Sequence, residues 1–125
     1  MGKMKGFKEE LSLDERCHES TDMLAKYPDR LPVIAEKYSK SELPAIEKKK
    51  FLVPRDMSVG AFNHILSTRL QLTPGKALFI FVNDTLPPTS SLMESVYESC
   101  KDEDGFLYIC YSTESTFGGA ASTIY

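Results

Sequence analysis

Apolar and polar positions along the chain change period several times, and each change marks an element. From Ser12 the pattern is mostly charged, with thin apolar content at Leu13, Cys17, Met23 and Leu24. Ser12 and Glu15 have capping-box spacing, so a surface-lying helix is expected from there to about Lys26, where Tyr27-Pro28 stops it. Upstream, residues 1–11 carry Lys3, Lys5, Phe7 and Lys8 and read as a short helix or a mobile arm. Leu31–Lys37 predicts a strand, and Pro32, which cannot donate to a ladder, belongs at an edge or a strand beginning. Phe51–Val53 predicts a second short strand closed by Pro54. The period then becomes 3.6: Val59, Phe62, Leu66 and Leu70 share one helix face, broadened by Ile65, with Asp56 or Ser58 as the cap. Ala77–Val82 is a continuous apolar run, the signature of a strand buried on both faces. Ser91 and Glu94 repeat the capping-box spacing and open a helix to about Cys100, with Leu92 and Val96 inward and Tyr97 a further candidate. Phe106–Tyr111, bounded by Asp104-Gly105, predicts a buried strand that closes the domain.

The order helix, strand, strand, helix, strand, helix, strand indicates an α+β roll, one mixed sheet with the amphipathic helix across its face. A length of 125 residues fits one domain with one core. The net charge of −3 argues against non-specific nucleic-acid binding, although Lys48-Lys49-Lys50 is locally basic and 101–104 is acidic on balance. Cys17, Cys100 and Cys110 lack metal or redox spacing, and with His18 and His64 they form no zinc or thiol-nucleophile pattern. All five are read as structural, with the thiols reduced, and no metal or cofactor is expected. No run suits a signal peptide or a membrane span. The Met1-Gly2 start lacks the hydroxyl residue a myristoylation site needs at position 6, and Asn83-Asp84-Thr85 is an incidental glycosylation match. After the last strand come small polar residues, then Phe117-Gly118-Gly119 and a tail to Tyr125 that can bury nothing. Taken alone, such a tail is more often a frayed end, and an end handled by other proteins is the alternative.

Longer blocks carry a resemblance. Lys26-Tyr-Pro-Asp-Arg-Leu-Pro-Val-Ile34, Lys48-Lys-Lys-Phe-Leu-Val-Pro54, Val59-Gly-Ala-Phe62, Ala77-Leu-Phe-Ile-Phe-Val82, Leu86-Pro-Pro88, Asp104-Gly-Phe-Leu-Tyr108 and Thr116-Phe-Gly118 occur in this order. The chain closely resembles the autophagy ubiquitin-like modifiers of the GABARAP and light-chain-3 group over nearly its whole length, with wording nearest the plant members. The resemblance implies a ubiquitin-like β-grasp with two additional N-terminal helices. It divides the chain into a helical extension (1–27), a ubiquitin-like domain (28–118) and a cleavable tail (119–125).

It also implies a function without catalysis by this chain. A cysteine protease would trim the tail after Gly118, with Phe117 setting the register of the scissile Gly118-Gly119 bond. Activating and conjugating enzymes would carry the carboxylate as thioesters, and it would end as an amide on phosphatidylethanolamine. The double glycine leaves cleavage after Gly119 as the alternative. The modified protein would move from the cytoplasm to autophagosomal and vacuolar membranes. Cargo receptors with an aromatic-x-x-aliphatic motif would add a strand at Lys50 and Leu52. The aromatic pocket implied is Glu19, Met23, Pro32, Ile34, Lys50, Leu52 and Phe106; the aliphatic pocket is Phe51, Val53, Pro54, Met57, Phe62 and Ile65. Arg30, Lys48, Lys49 and Arg69 would meet acidic flanks. Met23 and Phe51 stand where relatives often have isoleucine and tyrosine. Phe79–Val82, near a further docking surface in the family, is assigned mainly to the core. Two other functions compete: a non-conjugated adaptor for acidic-aromatic peptides or microtubules, and a small thiol hydrolase, which the cysteine spacing does not support.

Overall fold

The computed structural model describes residues 6–38, 43, 49–73 and 75–113; Lys48, Phe117, Gly118 and Gly119 lie outside them. The elements follow the order α1 (Phe7–Glu10), α2 (Leu13–Lys26), β1 (Arg30–Lys37), β2 (Lys50–Pro54), α3 (Val59–Leu70), β3 (Phe79–Phe81), α4 (Met93–Cys100) and β4 (Leu107–Ser112). The sheet order is β2-β1-β4-β3, with β1 antiparallel to β2, parallel to β4, and β3 antiparallel to β4.

Strand alternation divides the apolar residues between two faces. Leu31, Val33 and Ala35 of β1, Phe51 and Val53 of β2, and Leu107, Ile109 and Tyr111 of β4 form the main core with Val59, Phe62, Leu66 and Leu70 of α3. The alternate positions Ile34 and Phe106 meet Phe7 of α1 in a second cluster, with Met23, Leu11 and Tyr108 packed against it. Helices therefore cover the sheet on both sides, and α2, in which only Ser20 is buried, spreads over the second face.

The local chemistry of α2 and α3 follows the expected rules. Ser12 accepts from the Glu15 N–H at 3.2 Å while Glu15 accepts from the Ser12 N–H at 2.8 Å, completing the capping box. Ser58, rather than Asp56, caps α3 by accepting from the Ala61 N–H at 3.0 Å. Pro32 sits ahead of the parallel ladder, which begins at the Val33–Leu107 pair, so its missing N–H interrupts nothing.

Two expectations fail. The Ser91–Glu94 capping box does not form, because α4 starts two residues beyond Ser91 with Leu92 at the cap. Main-chain carbonyls do the capping instead: Met57 accepts from the Met93 N–H at 2.7 Å and Arg55 from the Glu94 N–H at 3.2 Å. A bridge between Ser58 and Leu92 lays this segment beside the start of α3, which turns Leu92 outward (43% exposed) and Met93 inward. The second failure is the Ala77–Val82 strand. Only Phe79–Phe81 is a strand, and it lies at the sheet edge. Val82 and Thr85 then exchange main-chain bonds of 2.8 and 3.0 Å across Asn83 and Asp84, both at positive φ. The run is apolar because Leu78, Ile80 and Val82 enter the main core and Phe81 is buried too, with Phe79 half-buried.

Candidate functional site

The opposite sheet edge is β2, and its register decides which main-chain groups are available. The Ala35 N–H donates to the Lys49 carbonyl at 2.9 Å, so Ala35–Lys49 is a hydrogen-bonded pair. By alternation Val33–Phe51 and Leu31–Val53 are bonded pairs too, which turns the N–H and C=O groups of Lys50 and Leu52 away from β1. These two residues thus form an open edge to which an extended peptide can add a strand.

Apolar walls flank that edge. On the α2 side, Pro32, Ile34 and Phe106 are fully buried, Leu52 and Met23 are half-buried, and Lys50 Nζ meets Glu19 Oε1 at 2.8 Å across them. This ion pair is partly exposed and contributes roughly 0–1 kcal/mol, weak enough for a visiting side chain to displace. On the α3 side, Phe51, Val53 and Phe62 are buried, while Pro54, Met57 and Ile65 remain half-buried. Phe51 stands edge-on to Phe62 with ring centroids 5.5 Å apart, and the Arg69 guanidinium lies 5.4 Å from the Phe51 ring centre. Of the basic residues, Arg30 is exposed at the start of β1, whereas Lys49 turns inward (14% side-chain exposure) toward Glu10 at 3.4 Å and Glu36 at 3.9 Å.

Two groups of residues around the α2-side wall escaped the reading of the sequence. Phe7 is buried edge-on against Phe106, centroids 5.1 Å apart, so α1 packs against the apolar side chains of this wall. The Phe7 N–H donates to Glu36 at 2.7 Å, and Lys8 binds Asp102 at 2.8 Å and lies 4.7 Å from the Tyr108 ring centre. Behind Phe106 a partly buried polar cluster joins Arg16 and Tyr108 to the buried Asp104. An Asp-Gly before a strand is a visible turn signal, but nothing local identifies partners 84 and 88 residues away.

Burial, and then the bond to Asp104, push the Tyr108 hydroxyl well above its usual pKa. Asp102 moves the other way: burial acts upward, but the Lys8 hydrogen bond and the Asp104 N–H outweigh it and lower the carboxyl. Cys110 is pushed up to about 11, chiefly by burial and further by Glu36 and Asp84, so its thiol is a poor nucleophile at neutral pH. The described cysteines are free, and among the described residues no three His, Cys, Asp or Glu side chains group as metal ligands. No described helix is long and apolar enough to cross a membrane.

A mixed sheet of this order with a helix laid across it is the β-grasp of ubiquitin-like proteins, here extended by α1 and α2 on the second face. Solved structures agree: Trypanosoma brucei ATG8 superposes with a TM-score of 0.85 at 42% identity, covering 93% of this chain and all of that one. Plasmodium falciparum Atg8, solved in complex with an Atg3 peptide from the same organism, gives 0.84 at 42% identity, covering 91% of this chain and all of that one. The family described as "Autophagy protein Atg8 ubiquitin like" matches residues 15–118. Arabidopsis thaliana autophagy-related protein 8i is 71% identical over 92% of this chain and 100% of its own length. Autophagy-related protein 8D of rice is 63% identical over 93% and 99%. The chain belongs to the Atg8 family.

Proposed function

We propose that this protein is a ubiquitin-like modifier that is trimmed after Gly118, joined through the Gly118 carboxylate to phosphatidylethanolamine, and used to recruit receptors bearing aromatic-x-x-aliphatic motifs to autophagosomal membranes. The observation that carries the reading is the open β2 edge, with Lys50 and Leu52 offering main-chain bonds between two sets of apolar side chains. An incoming strand would place its aromatic residue among Glu19, Met23, Pro32, Ile34, Lys50, Leu52 and Phe106. Three residues on, its aliphatic residue would lie against Phe51, Val53, Pro54, Met57, Phe62 and Ile65. Arg30 and Arg69 would meet acidic flanks, with Lys48; Lys49 would first exchange Glu10 and Glu36 for the ligand's carboxylates. An Atg8 relative in complex with an Atg3 peptide supports conjugating-enzyme contact for this chain as well.

The covalent steps belong to partner enzymes. A cysteine protease hydrolyses the Gly118-Gly119 bond, with Phe117 in an adjoining pocket, and residues 119–125 leave. The new carboxylate becomes a thioester at the expense of ATP and passes from one enzyme thiolate to the next. The lipid amine then attacks the glycyl carbonyl, the thiolate leaves, and the nitrogen loses a proton to give the amide. Glycine has no Cβ, so its backbone fits a narrow cleft. Two acyl chains give stable attachment where one is marginal. In this reading residues 1–27 are the helical extension and 28–118 the conjugated domain, moving from cytoplasm to autophagosomal and vacuolar membranes.

Intact-mass spectrometry of the membrane-bound protein tests it. The expected species ends at Gly118 with a phosphatidylethanolamine adduct, and Gly118→Ala stays off the membrane. A membrane-bound form that still ends at Tyr125 without lipid refutes conjugation and leaves a peptide-binding adaptor.

A further inference from the structure

Behind the α2-side wall one carboxylate collects bonds from three directions. Asp104, with no exposed side-chain surface, accepts from Arg16 Nη1 at 2.7 Å, from the Tyr108 hydroxyl at 2.5 Å and from the Phe106 N–H at 2.8 Å. Its main-chain carbonyl accepts the Ser20 hydroxyl at 2.5 Å. Arg16 and Ser20 belong to α2, the helix that also carries Glu19 and Met23, while Phe106 leads into β4. A single residue therefore ties the α2 part of this wall to its Phe106 part.

Shape packing alone does not hold that wall. The only residue of α2 that is buried is Ser20, and Met23 is half-buried against the Phe7–Ile34–Phe106 cluster. Charge-assisted bonds, which are short and directional, supply the missing constraint. Binding sites work when supporting side chains hold them within about 0.5 Å of the productive geometry. We propose that Asp104 is a positioning residue for aromatic recognition: through Arg16, Ser20 and the Phe106 N–H it sets the distance between α2 and β4 that a ligand's aromatic ring must fit. Tyr108 narrows the carboxylate's freedom further. The inference rests on the peptide-capture reading above, and it adds residues that belong to neither apolar set.

The test uses the full chain and two synthetic peptides, one with acidic residues before Trp-x-x-Leu and the same peptide with Trp replaced by Ala, both titrated by NMR. The quantity read is the ratio of the two dissociation constants. Asp104→Asn should shrink that ratio about tenfold, within the range of coupling between neighbouring groups, while the Ala peptide binds within about twofold of before. Tyr108→Phe, which keeps the ring and removes one of the three bonds, should shrink it about threefold by the same reasoning. This second variant carries the test if Asp104→Asn does not fold. A ratio unchanged in the variants, or both peptides weakened equally, overturns the positioning role and leaves peptide capture standing. A wild-type protein that does not distinguish the two peptides overturns the aromatic pocket itself, and the positioning role with it.

Discussion

Replacing Gly105 by alanine tests how tightly the turn before β4 is pinned to α2. Gly105 has φ near +90°, a region in which a side chain costs about 1–2 kcal/mol. A Cβ there would stand 2.4 Å from the Ser20 Oγ and 3.1 Å from its Cβ, closer than such atoms approach. The Ser20 hydroxyl must then turn away and release the Asp104 carbonyl, and leaving a buried group unpaired costs about 1–3 kcal/mol. Together the loss is about 3–4 kcal/mol, which for a chain of this size lowers the melting temperature by roughly 10–15 °C. Thermal and urea unfolding of Gly105→Ala, Ser20→Gly and the double variant would separate the causes. If the collision matters, the double variant loses less than the sum of the single ones, by about 1–2 kcal/mol. A single-variant loss below about 1 kcal/mol refutes the whole argument, and strict additivity refutes the collision while leaving the backbone strain.

Other consequences follow from the same side of the molecule. Arg16→Met strands a buried carboxylate and should destabilise by about 3 kcal/mol, whereas Lys8→Ala, at a half-exposed pair, should cost about 1 kcal/mol or less; equal losses in urea unfolding would contradict the difference in burial. Phe7→Ala removes a buried ring and should cost about 3 kcal/mol by the same measurement, and a neutral result would mean that α1 does not pack against Phe106. Cys110 should alkylate at least about tenfold more slowly than Cys17 at pH 8, its rate climbing as pH approaches about 11. Because the folded thiol holds its proton more tightly, its contribution to stability is complete below the ordinary thiol pKa of about 8.5 and is lost as pH rises through about 11. Equal labelling of the two thiols by mass spectrometry would contradict this.

What the sequence disclosed was mostly local or periodic. The Ser12 capping box, the Val59–Leu70 face and the two flanking strands each announce themselves within a dozen residues. The edge position of β3 was hidden because Leu78 and Ile80–Val82 are buried by what packs over them, and burial alone does not distinguish a central strand from a covered edge. Leu92 misled for a related reason: its outward direction comes from the Ser58 bridge, 34 residues away in the chain. At the candidate site, the residues assigned to the two pockets came from resemblance to a known family, and Glu19, Met23, Met57 and Ile65 lie outside the blocks that carry it. Phe7 and the Arg16–Asp104–Tyr108 bonds depend on where α1 and α2 land on the sheet, and no spacing in the chain encodes that landing.

The parallel pairing of β1 with β4 sets a timetable for folding. The first strand made by the ribosome finds its second neighbour only when the last strand has been synthesised, some seventy residues later. Until then the β1–β2 pair can form and α3 can settle, but β1 keeps a naked apolar flank, and β3 has no strand to lie against. Contacts this distant in the chain slow closure and prolong the exposure of sticky surface. A nascent chain stalled before Leu107 should therefore associate with chaperones, and the full chain after release from the ribosome should not.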